Sequence, residues 1–159
     1  MSINIEIEME NGGIIKAELY PDTAPITVEN FSKLIEDKFF DGLIFHRVIN
    51  GFMIQGGGYT ADGQHKDAES IKGEFDKNGV PNPLKHTRGV LSMARTMFPN
   101  SASSQFFIMH DDAPHLDGQY AAFGMVTDGM EVVDEIAESP TDMQDKPIED
   151  QIIKTIRLV

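Results

Sequence analysis

Residues 3–20, INIEIEMENGGIIKAELY, decide the fold class. Ile3, Ile5, Ile7 and Met9 alternate with Asn4, Glu6, Glu8 and Glu10, a period of two that puts the apolar side chains on one face of a strand. Asn11-Gly12 interrupts the alternation with two residues that tolerate positive φ, a strong hairpin signal. Residues 14–20 then read as the return strand. Neighbouring antiparallel strands point away from a parallel α/β sheet, whose neighbours need a long crossover.

Beyond the hairpin the period changes. Val28, Phe31, Leu34 and Ile35 fall on one face of a helix over residues 25–37, with Pro25 in its first turn, where a missing N–H costs nothing. A second helix is expected over residues 130–137, with Asp128 and Glu131 spaced as N-cap and capping-box partner. Short β-like runs lie at 44–49, 52–55, 89–94, 105–109 and 121–126, and residues 152–159 return to strand composition. Many short strands, glycine turns and two helices suggest a closed barrel or sandwich. Residues 59–88 are polar and without period, and are expected to form an exposed loop that is functional or mobile. A chain of 159 residues suits one domain, 1–159, around a single core.

Composition narrows the chemistry. With 26 acidic residues against 13 Lys and Arg, the net charge is −13, which opposes binding to nucleic acid or to an anionic membrane. No apolar run approaches the roughly 18 residues of a membrane span. The acidic, alternating start is not a secretory signal, so a cytoplasmic location is expected. There is no cysteine, hence no disulfide and no thiolate. Gly56-Gly57-Gly58 and Gly63 lack the Lys and Ser/Thr of a phosphate loop and read as turns. His110, Asp111, Asp112 and His115 match no helical zinc spacing and read as a solvated loop, so no metal and no cofactor is expected. Ser101, Ser103 and Ser104 do not form a nucleophile elbow.

The run FHRVINGFMIQGG, residues 45–57, holds one arginine, Arg47, among Phe45, Val48, Ile49, Phe52, Met53 and Ile54. On strands, Met53 and Gln55 share a face, as do Gln105, Phe107 and Met109, while Phe106 and Ile108 take the other. Spacing alone favours an ordinary core with Arg47 reaching out to water. It leaves open a shallow surface made by Met53, Gln55, Gln105 and Phe107 beside the charge.

These residues carry a resemblance. Residues 45–57, GVLSMAR with PNSASSQFFI within 89–108, and HLDGQYAAFG at 115–124 resemble the cyclophilins, which are peptidyl-prolyl cis-trans isomerases. Asn30-Phe31, DGLIFHRV at 41–48 and DGMEVVDEI at 128–136 extend the match along the chain, and its wording is similar to bacterial single-domain members. The resemblance implies a mainly β fold, an eight-stranded antiparallel closed β-barrel capped by two α-helices, with a groove on its outside. It implies that Arg47 is the catalytic arginine, stabilising a twisted amide, and that Gln55 and Gln105 help hold it and the substrate. Phe52, Met53, Phe107 and Leu116 would seat the substrate proline, with Ala94 and Arg95 lining the neighbouring subsite. The implied partners are proline-containing polypeptides, bound by a monomer. His115 stands where the best-known eukaryotic members carry tryptophan, and Tyr120 where they carry histidine, so cyclosporin binding is expected to be weak.

Overall fold

The structure, a computed structural model, describes residues 2–159. Its elements run β1 (Ile3–Met9), β2 (Ile14–Leu19), α1 (Pro25–Glu36), β3 (Leu43–Ile49), β4 (Met53–Thr60), β5 (Val90–Met93), β6 (Phe106–Met109), β7 (Ala122–Asp128), α2 (Met130–Ala137) and β8 (Ile153–Leu158). Every ladder is antiparallel, and the strands form one eight-stranded sheet in the order β3-β4-β6-β5-β7-β2-β1-β8. The sheet curls until its two edges meet. Gly42 N–H donates to the Ile153 carbonyl at 2.8 Å and Phe45 N–H to the Gln151 carbonyl at 3.0 Å, so a few bonds between the β3 and β8 segments make the seam of a nearly closed barrel.

The barrel is filled by the apolar faces of its strands. Phe31 of α1 reaches into it, its ring centroid 5.0 Å from those of Phe40 and Phe123 and 5.2 Å from that of Phe106. Offset and edge contacts of this kind add to the area that aromatic rings bury. α1 packs against β8, and α2 against β2, β3 and β4, where it contributes Val133 and Ile136 to the core. On the outer surface of β1, Glu6 and Glu8 meet Arg157 of β8 at 3.1 and 3.0 Å. Opposite charges on neighbouring strands tie the two chain ends together across the sheet.

The hairpin and α1 fall where the sequence periods place them, and α2 occupies the expected residues 130–137. Only Gly12 of the turn takes positive φ (97°); Asn11 acts through its side chain, which accepts the Gly13 N–H at 2.9 Å. Three expectations need correction. Asp128 is still the last residue of β7, so Gly129, at φ 88°, occupies the N-cap of α2 and no side chain caps that helix. The glycine run at 56–58 is not a turn: β4 continues through it, and glycine suits the close packing there, since a Cβ on Gly56 would lie 2.7 Å from the Ile44 carbonyl oxygen and one on Gly58 within 2.5 Å of the Gln105 side chain. Nor is the segment 59–88 simply exposed. Glu74, Phe75, Asn82 and His86 are buried, and the Glu74 carboxylate accepts the N–H of Thr27 at 2.7 Å, that of Ile26 at 3.2 Å and the Thr27 hydroxyl at 2.7 Å. The long segment thus supplies the anionic cap that Ala24, at the start of α1, cannot.

Candidate active site

β3 and β4 pair with a shift of register between Phe45 and Arg47: Phe45 faces Gly56, while Arg47 faces Gln55. One extra residue, His46, is accommodated there. A bulge of this kind turns over the alternation of a strand. Leu43 and Phe45 point into the core, and beyond the bulge Val48 does so instead, leaving Arg47 on the outer surface. The charge inside the apolar run is therefore exposed rather than buried. Its Nη1 donates to Gln55 Oε1 at 3.4 Å, a long bond, and Gln55 Nε2 donates to Gln105 Oε1 at 3.0 Å.

The outer face of β4 and β6 next to this arginine is apolar. Gln55 lies opposite Phe107 and Met53 opposite Met109 in the β4–β6 ladder, so Met53, Gln55 and Phe107 come to one surface. Leu116, at the end of a single 3-10 turn (Pro114–Leu116), closes one side. Tyr120 meets the Phe107 ring edge-on at 5.8 Å. Together with Phe52 and Ala94 these groups bound an open cleft of about 220 Å³ with Arg47 and Arg95 on its walls.

Arg95 is held rather than free. Its guanidinium carbon sits 4.7 Å from the ring centres of both Phe75 and Tyr120, and it donates to the carbonyls of Thr96 (2.9 Å) and Gln119 (2.6 Å). Stacking between two rings with fixed donors immobilises a side chain that would otherwise be mobile.

All the expected site residues line this cleft except Gln105 and His115. Gln105 lines a second hollow of about 280 Å³ that shares Gln55, Ala94 and Arg95 with the first. His115 is exposed and lies against Phe52, their ring centres 5.9 Å apart.

Sequence reasoning missed the layer beneath the cleft. His86 is buried under Phe107, its ring stacked at 6.0 Å and 20°. Its Nδ1 lies 3.1 Å from Asp117 Oδ1 and its Nε2 2.9 Å from the Ser92 hydroxyl. A carboxylate only accepts, so Nδ1 carries the proton and Nε2 accepts from Ser92. Burial holds the His86 pKa below the usual value, against the pull of Asp117, so the ring is neutral near pH 7. Asp117 is 31 residues away and Ser92 six, and no local pattern announced either. His46 is likewise kept neutral, its pKa lowered to about 4 by burial and then by the charge of Arg47.

The residues grouped above as a metal alternative have other partners. His110 Nδ1 accepts the Gly51 N–H at 2.8 Å and its Nε2 lies 3.0 Å from Asp134, while Asp112 accepts the Arg88 N–H at 2.8 Å.

The family model described as cyclophilin type peptidyl-prolyl cis-trans isomerase/CLD matches residues 4–158. The chain belongs to the cyclophilins. As a cyclophilin it is an enzyme of the peptidyl-prolyl cis-trans isomerase type, in keeping with its curated relatives. It is 43% identical to peptidyl-prolyl cis-trans isomerase B of Escherichia coli over 92% of this chain and 94% of that one. It is 42% identical to peptidyl-prolyl cis-trans isomerase ppi1 of Schizosaccharomyces pombe over 98% and 99%. A crystal structure of a cyclophilin type isomerase from Cryptosporidium parvum superposes with a TM-score of 0.85 at 32% identity, covering 100% of this chain and 98% of that one. The same protein in the presence of the dipeptide Ala-Pro gives 0.83 at 33%, covering 98% of each. No described helix of this cyclophilin is long and apolar enough to cross a membrane.

Proposed function

We propose that the cleft, on one domain formed by the whole chain, accelerates rotation about X-Pro bonds in polypeptides without a covalent intermediate, and so speeds proline-limited folding steps. The carrying observation is the placement of one exposed guanidinium, Arg47, at the edge of an apolar seat made by Met53, Phe107 and Leu116. The Ala-Pro dipeptide named with the Cryptosporidium parvum relative supports a proline peptide as ligand.

An X-Pro amide resists rotation by about 18–20 kcal/mol because nitrogen shares its lone pair with the carbonyl. Spontaneous exchange takes roughly 10–100 s. No bond has to break. In the twisted state the lone pair is localised on nitrogen and accepts a hydrogen bond that the planar state cannot. Arg47 donates there, a contact stronger in the transition state than in the ground state. Arginine suits the task because it stays charged and offers several donors in a rigid fork. Water reaches the guanidinium in the free protein, and the arriving peptide displaces it, which strengthens the contact at the moment of use. Gln55 steadies Arg47 and is itself steadied by Gln105. The apolar seat holds the ring while the preceding residues turn. A rise from about 0.01 to about 1,000 s⁻¹ needs roughly 7 kcal/mol, which one charge-assisted bond and alignment share.

The test is NMR exchange spectroscopy on an Ala-Pro peptide with catalytic amounts of the protein and of Arg47→Ala. Enhanced cis-trans exchange with the first and not the second is expected. Exchange with both removes Arg47 from the mechanism. Shift changes on binding with exchange in neither make the cleft a binding site only.

A further inference from the structure

The segment between β5 and β6 carries Met97 and Phe98 at its tip, 85% and 68% exposed. Single exposed apolar residues are ordinary, but an adjacent pair of this size beside a peptide cleft is not dismissed on that ground. The backbone of the tip is also tied by hydrogen bonds. Thr96 N–H donates to Ser101 Oγ (2.9 Å), the Thr96 hydroxyl to the same oxygen (2.8 Å), Ser101 Oγ to the Phe98 carbonyl (2.7 Å) and Phe98 N–H to Thr96 Oγ1 (3.2 Å). Asn100 anchors the far side, accepting from Gly73 N–H and Asn78 Nδ2. Two large apolar side chains are thus presented to water by a turn that is already ordered, so contact with them costs little further ordering.

Position identifies the occupant. Thr96 and Ser101, which flank the tip, line the second hollow, and that hollow shares Gln55, Ala94 and Arg95 with the proline cleft. The tip therefore stands at the rim of the hollow that adjoins the proline cleft, within reach of a chain that leaves the cleft on this side. Phe98 follows Ala94 by four residues, so their Cα atoms are at most about 14 Å apart, a span that about four residues of extended peptide cover.

We propose that Met97 and Phe98 form an apolar docking point for the client chain flanking the isomerised proline, selecting clients with a large apolar side chain about four residues from it. This rests on the isomerase reading. Phe98 supplies the flat contact and Met97, unbranched and polarizable, adapts to different apolar partners.

The test uses three peptides around one Ala-Pro core: a four-residue peptide, and two ten-residue peptides carrying Leu or Ser at the fourth position on each side of the proline. For the wild-type protein the Leu peptide is expected to show a KM about tenfold below that of the Ser peptide, from burial of one apolar side chain. In the Met97→Ser/Phe98→Ser double variant the ratio should fall to near one, with kcat/KM for the four-residue peptide unchanged. A wild-type ratio near one, or a ratio that survives in the variant, overturns the proposal. So does wild-type self-association in sedimentation that the double variant lacks, since the occupant would then be a second copy. The same ratio is read as Kd by peptide titration, so absence of catalysis on all three peptides would sink the isomerase reading and still leave the docking point decided.

Discussion

Ile54, Phe106 and Ile108 on one face of the β4–β6 pair, and Met53, Phe107 and Met109 on the other, are equally apolar, yet they sit in different surroundings. The first set meets other strands and the rings of α1 and its neighbours, so every direction is filled. The second set has a thin cover, Leu116 and Tyr120 above and the neutral His86 below, and part of it stays open as the cleft. What separates core from site here is the neighbour across the gap, together with one bulge that delivers a charge to the open side. Apolarity alone carries no such distinction.

That contrast can be broken from either face. Phe106→Ala should cost about 3–5 kcal/mol of stability by opening a cavity, read from denaturant midpoints, while the folded fraction keeps its turnover within about threefold. Phe107→Ala should show the reverse emphasis, raising KM by about tenfold. Arg47→Ala should lower kcat/KM by at least about 100-fold with the thermal midpoint nearly unchanged, because the side chain is exposed and makes one long hydrogen bond. Arg47→Lys should recover little, since a point charge lacks the fork.

Smaller effects sharpen the same contrast. His86→Leu leaves the buried Ser92 hydroxyl without its partner and should lose about 1–3 kcal/mol in a denaturant series. The folded pKa values of His46 (about 4) and His86 lie below the unfolded value near 6.5, so the unfolded chain takes protons first. Stability from these groups is full above about pH 6.5 and falls as pH drops toward 4, and His46→Gln should shrink that fall in a pH series of melting temperatures. Between about pH 6 and 9 the isomerisation rate should barely change, because the proposed contact is a guanidinium hydrogen bond that needs no proton transfer; a steep bell in the rate profile would point to acid-base chemistry instead.

How much of this was legible follows from the range of each interaction. The β1–β2 hairpin and α1 announce themselves because their signals repeat within a few residues, whereas α2 was placed beside a cap pair that the structure does not use. A shared face for Met53, Gln55 and Phe107 was readable as an open alternative for the same reason, while Gln105 precedes β6 and lines the neighbouring hollow. The outward aim of Arg47 followed from its charge, but the bulge at His46 that delivers it was not legible, because it is set by pairing with Gly56 and Gln55 rather than by any local motif. Glu74 capping a helix 47 residues away, and His86 joined to Asp117 31 residues away, are invisible to periodicity. Leu116, Ala94 and Tyr120 reached the site list only through the resemblance to cyclophilins.

The glutamates of β1 have a consequence for assembly order. β1 pairs on one side with β2, its neighbour in sequence, and on the other with β8, some 150 residues later. While the chain is being made, that second side is an open strand edge next to a strongly apolar face. Glu6 and Glu8 guard it, since charge on a free edge deters pairing with a foreign strand. When β8 arrives, Arg157 and Lys154 convert the same guard into a lock that selects the register. Refolding of Arg157→Glu, followed by light scattering, should show more aggregation than the wild type at equal concentration. An acidic first strand thus waits, protected by its own charge, for the basic last one.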